Sequence, residues 1–130
     1  MAQADRGWGK MLLCIDESPS ILRYVRALFE RSGFIVVTAR SAQRGLELAG
    51  LLHFDMVLQD FCLPDMNGHN FALEVKRLQP AALLVIFSHD EIPLEAHRTV
   101  NAVVSKTGLA SELLPIVVRL FNRDALSLRQ

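Results

Sequence analysis

Several short apolar runs in this 130-residue chain end in acidic, hydroxyl or lysine side chains. Asp16 and Glu17 follow the first run, and Asp60 follows a later one. Ser88 and Lys106 follow two further runs. In an open parallel sheet, the residues just beyond the carboxyl ends of the strands meet at one edge, where ligands bind. If these runs are strands of such a sheet, the five side chains are predicted to form a single site.

The chemistry of this set of side chains is specific. Three neighbouring carboxylates repel one another unless a cation lies among them. Mg²⁺ is the hard divalent ion that binds such oxygen ligands while keeping several waters. A hydroxyl and a lysine supply the hydrogen-bond donor and the positive charge that a phosphoryl group requires. The set therefore predicts attack of an aspartate oxygen on a phosphoryl donor, which would produce an aspartyl phosphate.

Strand and helix patterns alternate along the whole chain, with short connections. The predicted strands cover residues 11–15, 34–38, 56–58, 82–87 and 102–104. The segments between them carry apolar residues at a period near 3.6, as amphipathic helices do. This alternation predicts an α/β fold, a doubly wound five-stranded parallel sheet with helices on both faces. In the flavodoxin-like strand order 2-1-3-4-5, the first, third, fourth and fifth strands are contiguous, so their polar ends converge.

The chain is predicted to form one domain. Residues 1–9 are polar and are predicted to be a flexible leader, residues 10–123 form the domain, and residues 124–130 form a C-terminal tail. No linker, repeat or low-complexity tract divides it. Residues 93–100 leave room only for a shortened fourth helix.

Composition excludes several classes of protein. Fourteen Lys and Arg residues balance fourteen Asp and Glu residues, so no net charge favours nucleic acid or an anionic membrane. The apolar runs are too short to span a bilayer, and the N-terminus lacks the apolar core of a signal peptide. We therefore expect a cytoplasmic protein. Cys14 and Cys62 lie at or near predicted buried strands, which favours reduced thiols that pack in the fold.

The pair Asp16–Glu17, then Asp60, Ser88 and Lys106, with LPDMNG after the middle aspartate, resembles the receiver domain of bacterial two-component response regulators. This resemblance to the CheY-like superfamily covers roughly residues 11–121. It implies that Asp60 accepts a phosphoryl group from a histidine kinase or a histidine phosphotransfer protein. It also implies that Ser88 contacts the phosphoryl oxygens and that Lys106 pairs with the phosphate.

The resemblance further implies a cofactor and a mode of output. Mg²⁺ would be bound by oxygen ligands from four residues: Asp16, Glu17, Asp60 and the backbone carbonyl of Cys62. The chain would be no enzyme beyond catalysing its own aspartyl phosphorylation and dephosphorylation. Its output would go through protein–protein contacts with a downstream target that the sequence does not identify.

Three positions depart from the family pattern. Val103 stands where the family usually has an aromatic switch residue, and Thr107 stands where it usually has a proline after a cis peptide bond. His89 replaces a residue that is usually small, so it could partly cover the phosphorylation site. These departures leave open a degenerate receiver that acts as a non-phosphorylated protein–protein interaction module. A flavodoxin-like cofactor binder is disfavoured, because the acids of DESPS after the first strand would repel a phosphate.

Overall fold

The computed structural model describes residues 9–107 and 112–129, with side chains up to residue 123. Within these residues the strands are β1 (Met11–Ile15), β2 (Ile35–Ala39), β3 (Met56–Gln59), β4 (Leu83–Ser88) and β5 (Ala102–Ser105). The helices are α1 (Pro19–Glu30), α2 (Ala42–Leu51), α3 (Gly68–Leu78), α4 (Leu94–Thr99) and α5 (Leu113–Arg129). Strands and helices therefore alternate, as the sequence predicted.

The strands form one parallel sheet in the order β2-β1-β3-β4-β5, which confirms the predicted topology. Ile15 pairs with Gln59 across β1 and β3, so the next residue of each strand, an aspartate, lies at the same level of the sheet. Ser88 pairs with Ser105 across β4 and β5. The sheet register therefore brings the predicted site residues to one edge, which we call the carboxyl edge.

Apolar residues cover both faces of the sheet. In β1, Leu12 and Cys14 belong to the core on the α1 and α5 side, whereas Leu13 and Ile15 belong to the core on the α2 and α3 side. Strand side chains alternate between faces, so a continuous apolar run is the pattern expected of a strand that is buried on both sides. The largest buried side chains include Phe29 on α1, which completes one of these two core layers.

Local sequence signals define the helix ends. Ser18 accepts a hydrogen bond from the backbone N–H of Ile21 and so caps α1. Ser41 caps α2 and Asn67 caps α3 in the same way. These caps satisfy N–H groups that have no partner within the helix. Gly33, which follows α1, has a φ of 92°, the left-handed conformation that glycine commonly adopts after a helix.

Some predicted boundaries differ from the structure. β2 and β4 each begin one residue later than predicted. β2, β3, β4 and β5 each end one residue later than predicted, the last three at a polar residue. The predicted tail at residues 124–130 overlaps α5, which continues to Arg129. Helix boundaries are hard to read where an amphipathic pattern simply weakens. The predicted leader falls almost wholly outside the described residues.

In the described part of the chain, no helix combines the length and the apolar character that crossing a membrane requires.

Candidate functional site

Lys106 lies between two aspartates at the carboxyl edge of the sheet. Its Nζ is 2.5 Å from Oδ2 of Asp16 and 3.4 Å from Oδ2 of Asp60. The side chains of Asp16 and Lys106 are 4% and 5% exposed, whereas that of Asp60 is 16% exposed. The sequence predicted carboxylates that need a cation, and the lysine ammonium already offsets part of their repulsion. Asp60 is therefore the most accessible group of this charged cluster.

Backbone hydrogen bonds of the sheet hold these residues in place. The backbone N–H of Asp60 donates to the carbonyl of Ile15 at 2.9 Å, and that of Lys106 donates to the carbonyl of Ser88 at 3.0 Å. Asp16 Oδ1 also accepts from the backbone N–H of Ser18 at 2.9 Å. The charged side chains thus extend from hydrogen-bonded strand ends, which position a site more precisely than free loops do.

An open cleft of about 450 Å³ lies over this cluster. It is lined by seven residues: Asp16, Glu17, Ser18, Ile21, Asp60, His89 and Lys106. His89 is exposed and lines this cleft together with Asp60 and Lys106. The cleft is acidic, with one lysine at its base, and it is open to solvent, so a ligand can reach Asp60 from outside.

Ser88 forms hydrogen bonds with Asp90, a residue that the sequence did not predict to be part of the site. The Ser88 hydroxyl donates to Oδ2 of Asp90 at 3.3 Å, and its oxygen accepts from the backbone N–H of Asp90 at 3.2 Å. Ser88 is only 2% exposed. The pattern of a hydroxyl residue followed two positions later by a turn-forming acid is local, so a search for such turns could have found Asp90.

Cys62 does not pack in the core as the sequence favoured. It is exposed, and its thiol donates a hydrogen bond to Oδ2 of Asp90 at 3.0 Å. This hydrogen bond raises the pKa of the Cys62 thiol above its ordinary value. The prediction failed because Cys62 lies beyond the end of β3, in a loop whose direction the strand pattern does not determine. Cys14 is buried as expected, and burial raises its pKa.

Two buried contacts shape the loop that carries Asp60. The amide of Gln59, which is 1% exposed, donates to the carbonyl of Gly68 at 2.8 Å. A Cβ at Gly68 would clash with the backbone carbonyl oxygen of Phe61, so only glycine fits this close approach. Gln59 and Gly68 therefore hold the two ends of this loop together. Neither residue was among those predicted for the site, because neither has the chemistry of the site.

Asp65, in the same loop, caps a neighbouring helix. Its carboxylate accepts from the backbone N–H groups of Ala42 and Gln43 at 2.8 and 2.9 Å. These two hydrogen bonds hold the pKa of Asp65 below its usual range. Asp65 therefore fastens the loop to the start of α2, a contact between distant residues for which the sequence offers no signal.

The departures from the family pattern have visible consequences. Val103 is partly buried and packs against a small cluster of Ile86, Ile92 and Ala96. The peptide bond between Lys106 and Thr107 is trans, as are the other described peptide bonds. Thr107 instead donates its backbone N–H to Ser105 Oγ at 3.0 Å. The aliphatic side chain of Val103 thus stands in place of the family's aromatic residue. A turn in which Ser105 Oγ accepts from the Thr107 N–H stands in place of the cis-proline.

The donor set suits a hard cation that keeps part of its water shell. Asp16, Glu17 and Asp60 all line the cleft. Over residues 9–107 and 112–129, however, no three His, Cys, Asp or Glu side chains converge tightly enough to hold a metal unaided. An ion here would depend on a few carboxylates, a backbone carbonyl and waters, which is the usual coordination of protein-bound Mg²⁺. The residues present therefore fit the implied ion.

Fold and site together define a doubly wound α/β protein with an acidic cleft and an opposed lysine at the carboxyl edge of its sheet. The response regulator receiver domain family matches this chain over residues 12–114. That match covers most of the chain, so the chain belongs to the family of response regulator receiver domains.

Relatives of known sequence agree with this assignment. The two-component response regulator ORR1 of Oryza sativa subsp. japonica is 31% identical over 112 residues, covering 77% of this chain and 48% of the rice protein. The transcriptional regulatory protein GlrR of Escherichia coli (strain K12) is 28% identical over 95 residues, covering 72% of this chain and 21% of that protein. This chain thus spans about half, or less, of the length of these relatives.

Solved structures share the fold at low sequence identity. A CheY-like receiver domain from Methanospirillum hungatei JF-1 has a TM-score of 0.83 at 22% identity, covering 92% of this chain and 98% of that one. TrrA from Thermotoga maritima, solved in complex with Mg²⁺ and BeF, has a TM-score of 0.78 at 20% identity, covering 85% and 98%. A Burkholderia pseudomallei response regulator with a phosphorylated aspartic acid and a calcium ion has a TM-score of 0.75 at 21% identity, covering 91% and 74%.

Proposed function

We propose that this chain is a phosphorylatable receiver in a two-component phosphorelay. Asp60 accepts a phosphoryl group from a histidine kinase or a histidine phosphotransfer protein, and the phosphorylated chain signals by contacting another protein. The observation that supports this proposal is the lysine contact: Lys106 lies within 3.4 Å of Asp60 and 2.5 Å of Asp16 at the base of an open cleft. Of the three groups, Asp60 is the most exposed and so the most accessible to a donor.

The reaction is a substitution at phosphorus. A carboxylate oxygen of Asp60 forms a bond to the phosphorus of a phosphohistidine, and the P–N bond breaks. Its electron pair stays on the nitrogen, so the imidazole, which keeps the proton on its other ring nitrogen, leaves as neutral histidine. Lys106 neutralises charge on the phosphoryl oxygens, and the Ser88 hydroxyl donates a hydrogen bond to one of them. Catalysis of phosphoryl transfer depends mainly on such positioning and charge stabilisation. Hydrolysis of the aspartyl phosphate, which ends the signal, is the one further reaction in this proposal.

Mg²⁺ would be bound by Asp16, Glu17, Asp60 and the backbone carbonyl of Cys62. Bound there, it supplies positive charge that offsets the phosphoryl oxygens and the remaining carboxylates. The protein's own contribution is to hold Asp16 in place, which the hydrogen bond from the Ser18 N–H and the contact with Lys106 accomplish.

Intact-mass measurement tests the proposal. Treatment with acetyl phosphate and Mg²⁺ should add the mass of one phosphoryl group, and hydroxylamine should remove it. Asp60→Asn should abolish the addition, whereas the matched control Asp65→Asn should retain it. Asp65 is an aspartate of the same loop, but its carboxylate is engaged by the N-terminus of α2. Chelation of the metal with EDTA should prevent labelling of the wild-type chain.

Two outcomes would contradict this function. Undiminished labelling of Asp60→Asn would assign the acceptor to another residue. If neither acetyl phosphate nor a phosphorylated histidine phosphotransfer domain labels the wild-type chain, the degenerate receiver becomes the better explanation. Its acidic cleft would then serve the fold and its role would be to bind other proteins.

A further inference from the structure

Asp90 contacts both Ser88, at the end of β4, and Cys62, in the loop that follows Asp60. It follows β4 by two residues and lies before α4. One oxygen of its carboxylate, Oδ2, accepts from the Ser88 hydroxyl at 3.3 Å and from the Cys62 thiol at 3.0 Å. Its backbone N–H donates to the Ser88 oxygen at 3.2 Å. Asp90 therefore bridges the end of β4 and the loop that carries the phosphoacceptor.

The hydroxyl of Ser88 has a single proton to donate. In this structure that proton is given to Asp90, and the hydroxyl oxygen is occupied by the Asp90 N–H. Ser88 therefore cannot donate to a phosphoryl oxygen until it gives up the Asp90 carboxylate. Breaking this hydrogen bond offsets part of the free energy that Ser88 gains from a bond to a phosphoryl oxygen.

Cys62 helps to hold the Asp90 carboxylate in this position. It lies two residues after Asp60, and its thiol reaches across to Asp90, 28 positions later in the chain. Two donors therefore converge on one carboxylate oxygen. The contact keeps Asp90 turned toward Ser88, and because Asp90 is itself exposed, its side chain can turn away into solvent.

We propose that Asp90 is a positioning residue that holds the Ser88 hydroxyl away from the phosphorylation site and so opposes the phosphorylated state. This inference rests on the proposed function, because it takes Ser88 to be the residue that contacts the phosphoryl group. Asp90→Ala removes the competing acceptor, so Ser88 becomes free to donate. Asp90→Asn keeps the shape but offers a neutral, weaker acceptor, so its effect should be intermediate.

Binding of beryllofluoride, a phosphoryl mimic, tests the proposal by calorimetric titration of the whole chain in Mg²⁺. Asp90→Ala should bind the mimic roughly three- to ten-fold more tightly than wild type, the range expected from one competing hydrogen bond. Glu91→Ala is the matched control. It removes the same charge from the neighbouring exposed residue, which within the described structure makes no hydrogen bond with Ser88, so its affinity should stay within two-fold of wild type.

The same measurement in a Ser88→Ala background separates positioning from charge. If Asp90 acts through Ser88, adding Asp90→Ala to Ser88→Ala should change the affinity no more than adding Glu91→Ala does. An equal gain with and without Ser88 would assign the effect to charge and overturn the proposal, as would unchanged or weaker binding by Asp90→Ala alone. If no variant and no wild-type chain binds the mimic, the proposed function fails, and the role of Asp90 fails with it.

Discussion

Helices α1 and α4 both follow a strand that delivers site residues, yet they are built differently. α1 has 12 residues, is capped by Ser18 and buries Leu22, Val25 and Phe29. α4 has 6 residues, has no side-chain cap on its N-terminal Pro93, and buries only Ala96. Side-chain caps and buried apolar area are the main sources of helix stability in proteins. The α1 side of the site is therefore strongly anchored and the α4 side weakly anchored.

This difference divides the candidate site into two parts. Asp16 extends from the β1–α1 connection and is held by Lys106 and the Ser18 N–H. Ser88 extends toward α4 and is held by a single exposed residue, Asp90. Low local stability is the usual property of segments that move when a ligand binds. A phosphorylation switch needs charged groups that stay in place, as Asp16 and Lys106 do, and a hydroxyl that can change its partner, as that of Ser88 can.

The largest expected effect is on the stability contributed by α1. Phe29→Ala removes a fully buried ring and should lower the free energy of unfolding by ~3–5 kcal/mol, the usual cost of such a cavity. Ala96→Gly truncates the one residue that α4 buries and should cost ~2 kcal/mol, from helix propensity and one lost methyl group. Urea denaturation of both variants provides the comparison. Equal losses would show that α4 is as firmly anchored as α1.

The second prediction concerns the buried charge cluster. Lys106→Met leaves the buried Asp16 carboxylate without its cation, and should lower the free energy of unfolding in EDTA by ~3 kcal/mol. Mg²⁺ should then raise the melting temperature of this variant more than that of wild type, since an ion can replace the lost charge. Lys76→Met, on the exposed face of α3, is the control and should change stability by less than about 0.5 kcal/mol. A Mg²⁺ response identical to that of wild type would argue against an ion at this cluster.

The third prediction concerns residues 88–100. Because α4 buries little and lacks a cap, its backbone amides should exchange with solvent at least roughly ten-fold faster than those of α1. Val103 cannot swing as an aromatic ring would, since its branched side chain has one χ angle. We therefore expect the phosphorylated state to act by ordering this segment. Hydrogen exchange with and without beryllofluoride should show protection rising there more than elsewhere, and equal protection in both states would exclude this mechanism.

The smallest expected effect is at the start of α2, which has two side-chain caps where α4 has none. Asp65→Ala should cost ~1 kcal/mol, as loss of a helix cap usually does. Because hydrogen bonds lower the folded-state pKa of Asp65 below its ordinary value of 3.8, its contribution is present above that value. The contribution is lost as the pH falls through the lower folded-state pKa. The difference in urea midpoint between wild type and Asp65→Ala should therefore shrink at strongly acidic pH. A difference independent of pH would mean that the carboxylate charge is not what stabilises the cap.

The sequence by itself determined the fold and the membership of the charged cluster. Continuous apolar runs and period-3.6 apolar patterns are local, so strands and helices could be assigned from them without tertiary information. A parallel topology brings the carboxyl ends of its strands to one edge by geometry. Asp16, Asp60 and Lys106 could therefore be predicted to meet although 90 positions separate the first from the last. The short α4 followed likewise from the small number of residues available between β4 and β5.

Only the tertiary structure shows which contacts join the loops at the carboxyl edge of the sheet. The Cys62–Asp90 hydrogen bond joins residues of two different loops, and Asp65 joins its loop to the start of α2. Loop conformation depends on packing and on single backbone contacts such as the close approach of Gly68 to Phe61. Such contacts have no period in the sequence, because each depends on the direction in which a loop leaves its strand. For the same reason Cys62, predicted to pack, is exposed and holds the residue that restrains Ser88.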